Sequence, residues 1–472
     1  MRNMTVGSPT KLILAFSLPL LIGNFFQQAF VLVDSAVVGR MIGAEALAAV
    51  GATGKMMFLI IGFSWGATAG LAIPISNAFG AGNMAAVRRY VGASAVVAGL
   101  IAILITAIGV IFGPSLLVAI NTPPELFEMA KQYQTIMFSA ASLTVAYNWF
   151  SSTVRAVGDS KTPLYFLIFS SILNAGLSVL FVGSFGFQVA GVAFATIITQ
   201  AIALVACVIY VRRKMAEIFP SQREFRDSLR HLWEPARIGL PMGFQASVIG
   251  IGTTLMQAAI NQIGTDAVAA ATVAARIEGL AMMPLGTLGV AMATFVAQNY
   301  GAKAYQRIRS GVLSMSIISM AAGVLLGAVL YIFSDQMISI FLSAPNAAVV
   351  ELVHAHFRIG GIWYFALGMI FIMRNAIQGL GTATIPTISG FVELAVRAIS
   401  ALFFVGTFGW SAVIWGLPMG WTLGAALCTV AWFVHRKRLI GLQKDQKDEK
   451  DQQDQTAPTE RMVSETELAI AA

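Results

Sequence analysis

About twelve long apolar runs separated by short polar loops limit what this chain can become. They fall near 12–38, 46–78, 90–113, 127–155, 163–184, 188–211, 236–262, 267–298, 308–333, 350–380, 384–406 and 411–434. A bilayer core of about 30 Å takes about 20 apolar residues to cross as a helix. Several runs exceed that length, so tilt or bending is expected. Barrel strands would alternate over about 10 residues instead. The fold class read from this pattern is an all-α polytopic membrane protein. Composition agrees: 11% of residues are charged and 57% are hydrophobic, with net charge +8. Soluble domains carry roughly 25% charged residues. The first run is too long for a signal-peptide core and lacks a small-residue cleavage site, so no cleavable leader is expected.

The positive charge does not point to nucleic acid. Arg88 and Arg89, Arg155 and Lys161, Arg212 to Lys214, Lys303 and Arg307, and Arg436 to Arg438 lie between runs, always on the same side. The intervening loops are nearly free of Lys and Arg, with Arg40 the visible exception. The positive-inside bias then places both termini in the cytoplasm of a multi-pass protein of the plasma (inner) membrane. Cys207 and Cys428 both sit in apolar runs, without metal-ligand spacing. They read as small buried hydrophobes.

The two halves repeat. Leu18-Pro19 matches Leu240-Pro241, Ile42-Gly43-Ala44 matches Ile263-Gly264-Thr265, and Gly158 with Pro163 matches Gly381 with Pro386. Each half holds six spans, so both enter the membrane in the same direction. Such a parallel repeat has its axis along the membrane normal. Two six-helix lobes then face a cavity that can open to either side, which is the architecture of a carrier. The expected divisions are a first lobe over 1–211, an amphipathic cytoplasmic linker over 212–234, a second lobe over 235–438 and a disordered, highly charged tail over 439–472.

The repeat is chemically asymmetric. Asp34 lies in the first span, while the second half has Leu255 or Met256 at that position. A carboxylate at mid-membrane costs on the order of 3 kcal/mol or more, so it faces a bundle interior or a wet cavity. It reads either as a proton- or cation-binding group or as a capping aspartate beside Ser35 and Gly39. Pro19, fifteen residues earlier, permits a bend. Tyr133, Asn148, Asn174, Ser178 and Thr196 are polar groups of the other first-half spans that could complete a site with Asp34. Asn174 and Ser178 are four apart and share a helix face. Such residues complete an ion site or act as interhelical glue. In the second half, Glu393 and Arg397 have i, i+4 spacing and pair on one helix. Arg276 and Glu278 do not share a face, so each needs a partner elsewhere, and Arg374 adds a further charge. His354 and His356, near the outer end of a span, read as solvated. Methionines such as Met56, Met57, Met282 and Met283 offer adaptable apolar walls. No P-loop and no catalytic or metal-binding constellation is present, so the chain reads as a transporter and not an enzyme.

The stretches SLPLLIGNFFQQ…VDSAVVGR, RAVGDSKTP, PMGFQASV, ARIEGLAMMPLGTLGVAMATFVAQNYGA and IQGLGTATIPTISGFVELAVR resemble the multidrug and toxic compound extrusion (MATE) family. The resemblance runs from about Pro9 to Arg438. It implies twelve helices in a V of two six-helix lobes, exporting amphipathic, often cationic, drugs or toxins by antiport against protons or sodium ions. No other cofactor is implied. It assigns the coupling acid to Asp34, the bending proline to Pro19, and supporting polar roles to Tyr133, Asn148, Asn174 and Thr196. Many members carry a second acid where this chain has Ser178, and another branch has a glutamate in the seventh helix, where this chain offers Gln245. Glu278 and Glu393 match second-lobe charges of the family. The missing acid favours a proton at Asp34 and disfavours a sodium ion there. The expected unit is a monomer in the lipid bilayer. A flippase of lipid-linked sugars and a non-transporting receptor are the competing classes. The first would need a larger, more charged cavity, and the second leaves the repeat unexplained.

Overall fold

The computed structural model describes residues 3–119, 122–342 and 346–471, with side-chain surroundings up to 449 apart from residue 55. No β-strand occurs among the described residues. The first half contains α1 (Pro9–Val37), ending in a π-turn at Val38–Ile42, then α2 (Ala44–Leu71), α3 (Ile73–Gly80), α4 (Met84–Ala119), α5 (Pro124–Ser139), α6 (Ala141–Ala156), α7 (Lys161–Gly183) and α8 (Gln188–Lys214). A short α9 (Gln222–Ser228) follows. The second half contains α10 (Trp233–Ile263), α11 (Thr265–Ala281), α12 (Met283–Gly301), α13 (Tyr305–Ile332), α14 (Ser334–Phe341), α15 (Ala347–Gly360), α16 (Tyr364–Gly379), α17 (Thr384–Ile399), ending in a π-turn at Ser400–Phe404, α18 (Val405–Phe408) and α19 (Trp410–Ala471).

These elements make twelve spans, because α2–α3, α5–α6, α11–α12, α15–α16 and α17–α18 are each one broken crossing. Ten of the crossings are long and apolar enough to span a membrane by themselves, and α11–α12 qualifies as a pair bent by 43°. The α5–α6 crossing is more polar and is the twelfth by its place in the repeat, opposite α15–α16. Matched breaks have matched causes. Gly43 and Gly264 precede α2 and α11 with φ of 132° and 136°, a region that side chains with a Cβ rarely enter.

The lobes meet at the end that carries the N-terminus. Glycines bring α2 and α10 into backbone contact: a Cβ on Gly66 would lie 2.5 Å from the Met242 carbonyl oxygen, and one on Gly239 would lie 2.9 Å from that of Ala67. Ser247 Oγ donates to the Leu59 carbonyl at 3.1 Å across the same seam. Deeper in, α3 and α12 cross. The Gln298 amide ties three segments together there, accepting from the Met4 N–H (2.9 Å) and donating to the Ala156 carbonyl (2.9 Å). The repeat relates the α2–α10 seam to one between α1 and the α11–α12 crossing, and α1 packs there against α12 rather than α11.

The first helix belongs to both lobes. Ile13 and Phe16 are buried with Met292 and Phe295 in the second lobe's core, together with Met4. From Gly23 onward the same helix lies against Leu164 and Leu167 of α7. Pro19, buried, stands at the crossover. A first lobe running from residue 1 is thus too simple a division.

The linker, read from the sequence as an amphipathic helix, carries the short helix α9. Ser221 and Glu224 form a capping box on α9. Arg88 and Arg89 of α4 reach Glu224 and Asp227 at 2.6 and 3.0 Å. Phe225, Leu229 and Trp233 remain exposed, as expected of a segment lying on a membrane surface. The α19 helix runs on through the polar stretch from 439 to Ala471. Lys, Gln and Glu are good helix formers, so polarity alone does not stop a helix that has already begun.

Candidate functional site

Asp34 sits three residues before the end of α1 and is half-buried between α1, α7 and α8. Ser178 Oγ donates to its Oδ1 at 3.1 Å. With the Asn174 amide nitrogen turned toward Asp34, it donates to the same oxygen at 2.9 Å. In that orientation the Asn174 amide oxygen accepts from Thr196 Oγ1 and from the Thr196 N–H, both at 3.2 Å, so the amide is satisfied at both ends. Asn174, Ser178 and Thr196 are buried. The i, i+4 spacing on α7 delivers both partners to one carboxylate, as expected from the sequence.

No cation is paired with Asp34 among the described residues. No cluster of three His, Cys, Asp or Glu suited to a metal occurs there either. Tyr133 packs with Val37, Val38, Val189 and Val192 beside the end of α1. The π-turn follows within one turn of Asp34, and such turns frequently mark functional sites. Asn148 is half-buried on α6 and forms no hydrogen bond with this group.

The second lobe buries two charge clusters. Glu393 is paired with Arg374 from α16, and Arg397 Nη2 lies 3.6 Å from its other oxygen. Arg374 Nε also donates to Ser389 Oγ at 3.2 Å. The i, i+4 pair read from the sequence is therefore present, but its stronger partner comes from another helix. Gln245 of α10, expected among the polar groups of the cavity, is placed beside this cluster: with its amide turned, its oxygen accepts from Arg374 Nε at 2.9 Å and from Nη1 at 3.2 Å. Glu278 accepts from His356 Nε2 (2.9 Å) and from the Tyr364 hydroxyl (2.5 Å). The solvated reading of His356 is corrected, because this side chain is only 5% exposed. Its glutamate lies 78 residues away in the chain, out of reach of a local pattern. His354 does lie near the surface, bonded to Asp335 at 2.8 Å. Arg276 is exposed on α11.

Two repeated six-span halves packed on one another and a half-buried acid in one lobe define a carrier of two lobes. The MatE family model matches residues 19–180 and again 241–403, one match for each half. The chain belongs to the MatE family. It is 29% identical to the "Probable multidrug resistance protein YoeA" of Bacillus subtilis, covering 79% of this chain and 82% of the relative. It is 24% identical to a protein of Shewanella oneidensis named "FAD transporter", over 78% and 82% of the two chains. The fold is shared with the Vibrio cholerae MATE transporter VcmN in its bent form, at TM-score 0.81 and 22% identity, covering 92% and 98% of the two chains.

Proposed function

We propose that this chain is a multidrug exporter that expels amphipathic, often cationic, small molecules in exchange for protons bound at Asp34. The observation that carries the reading is the environment of that carboxylate: neutral donors surround it and no cation is paired with it. Such a group gains or loses a proton without breaking an ion pair. The names of the relatives support drugs as the substrate class. The single carboxylate supports a proton over a sodium ion, which prefers more charged oxygen donors. The buried second-lobe charges Glu278, Arg374, Glu393 and Arg397 are taken up in contacts with one another or with His356, which leaves little buried charge to grip a lipid-linked sugar headgroup.

The working cycle follows from α1. Its inner half is packed in the second lobe and its outer half in the first, with Pro19 between them. An ionised Asp34 holds the outer half against α7 through Asn174 and Ser178. A neutral Asp34 no longer requires those donors, so α1 bends at Pro19 and narrows the first-lobe cavity. A ligand held there loses contacts and leaves. The proton biases this equilibrium only through its differential affinity for the two forms, about 1.4 kcal/mol per pKa unit. A membrane potential adds about 2.3 kcal/mol per charge per 100 mV when net positive charge enters. In this reading both termini are cytoplasmic and the unit is a monomer in the plasma membrane.

Transport in everted vesicles tests it, with ethidium and a dye panel, and with FAD included because one relative carries that name. Asp34→Asn is expected to express normally and to export nothing; Pro19→Ala is expected to export slowly at normal protein level. Normal export by Asp34→Asn overturns the assignment.

A further inference from the structure

We propose that residues 3–8 form a latch: seated on the second lobe, they hold the two lobes together at the end where the lobes meet. Met4 is the anchor. Its side chain is 1% exposed and packs with Met292, Phe295, Ile308 and Val312. Its backbone is gripped as well. The Met4 N–H donates to Gln298 Oε1 at 2.9 Å. The Met4 carbonyl accepts from Asn299 Nδ2 at 3.2 Å and from Arg307 Nη2 at 3.3 Å. Arg307 Nη1 donates to the Gly7 carbonyl at 2.7 Å, and its Nε donates to Asn299 Oδ1 at 3.0 Å. One guanidinium fork thus holds two carbonyls of the segment and the asparagine beside them, a task for which a lysine ammonium has the wrong shape. Hydrogen bonds from a charged donor are also the stronger kind.

A segment that merely packed onto its own lobe would need no tie across the seam. This one has two. Gln298, which takes the Met4 N–H on its oxygen, donates through Nε2 to the Ala156 carbonyl of the first lobe at 2.9 Å. With the oxygen fixed by Met4, the amide nitrogen is aimed at Ala156. Gln298 is fully buried, so a nitrogen that loses Ala156 is left unpaired and the open form is disfavoured. The second tie is the chain itself. Thr10 Oγ1 donates to Ser314 Oγ of α13 at 3.0 Å, and from Gly23 onward the same helix lies on α7 of the first lobe. The repeat supplies a counterpart. An offset of 221 sets residues 3–8 opposite 224–229, at α9. That helix leads into the second lobe yet sits on α4 of the first, where a Cβ on Gly92 would lie 2.4 Å from Ser228 Oγ. Leu232, Ala236 and Leu240 then pack beside Ala67 and Leu71. Each segment leading into one lobe is fastened to the other. The fastenings differ, because the first half has Ala78 and Ala86 where the second has Asn299 and Arg307. Contacts that favour the closed end shift the population toward it, and their loss shifts it back.

The proposal rests on the two-lobe carrier and not on the coupling ion or the substrate. The test is a distance measurement by double electron–electron resonance in nanodiscs, with Cys207 and Cys428 replaced by Ser. Spin labels are placed at Lys161 of the first lobe and Ser310 of the second, both exposed. Deletion of residues 3–7 and, separately, Arg307→Lys are each expected to raise the share of a longer distance several-fold over the otherwise unaltered chain. Arg307→Lys keeps the positive charge that orients the chain and loses only the fork, and it serves if the deletion does not fold. An unchanged distribution in either folded variant overturns the proposal. No substrate or gradient enters the measurement, so its outcome stands apart from that of Asp34→Asn in vesicles.

Discussion

Gly80 and Gly301 meet the opposite lobe in the same way. A Cβ on Gly80 would lie 1.9 Å from the Gln298 carbonyl oxygen, and a Cβ on Gly301 would lie 1.9 Å from that of Asn77. The glycines are 221 residues apart, and so are Asn77 and Gln298. This is the internal twofold made visible in four residues, at the end where the lobes touch. Neither contact admits a side chain, because the opposing atoms are backbone.

Gly80→Val should therefore hold the lobes apart at that end. Ala69, packed against Ile73, Ile238 and Met242 in the seam, reports on it. With Cys207 and Cys428 replaced by Ser, Ala69→Cys is expected to react several-fold faster with a maleimide in the Gly80→Val background. An equal rate would show that the seam stays closed without the glycine contact.

Glu393 holds two buried arginines, Arg374 and Arg397, from two helices. Removing its charge leaves both uncompensated, a loss of about 3–5 kcal/mol. Glu393→Gln should reduce the yield of monodisperse protein in size-exclusion chromatography far more than it changes transport per folded molecule. Full yield with lost transport would move the coupling chemistry into this cluster.

The linker carries an acid dependence that stands outside the membrane. Glu224 is pushed down to about 2, first by the Ser221 N–H, then by Arg88 and the Ser221 hydroxyl. The ionised form is the bound one, so its contribution is complete above the ordinary value of 4.5 and disappears as pH falls from there to about 2. Protection of the α9 amides, measured as exchange relative to the unstructured rate at each pH, should hold to about pH 4 and fall below it, and Glu224→Gln should remove that dependence. The same acid response in the variant would place its origin elsewhere.

The spans, the repeat and the Asp34 cluster were legible because each is written locally. Apolar run length marks a crossing, Gly43 and Gly264 mark the same break twice, and Asn174 and Ser178 face one way by helical spacing. What escaped the sequence depends on helices far apart in the chain. Arg374 reaches Glu393 across 19 residues, and Glu278 meets Tyr364 across 86. No periodicity records such meetings. The division of α1 between lobes was hidden for a similar reason: Ile13 and Phe16 look like any apolar helix residues until the second lobe closes over them.

Proton exchange at Asp34 is the centre of the account, and reconstitution tests it most directly. Purified protein is placed in liposomes loaded with a pH-sensitive dye, in sodium-free buffer, and ethidium is added under an imposed proton gradient. Ethidium movement is expected to be matched by proton movement in the opposite direction, absent in Asp34→Asn and unchanged when sodium is supplied. Transport that needs sodium and proceeds without proton movement would contradict it.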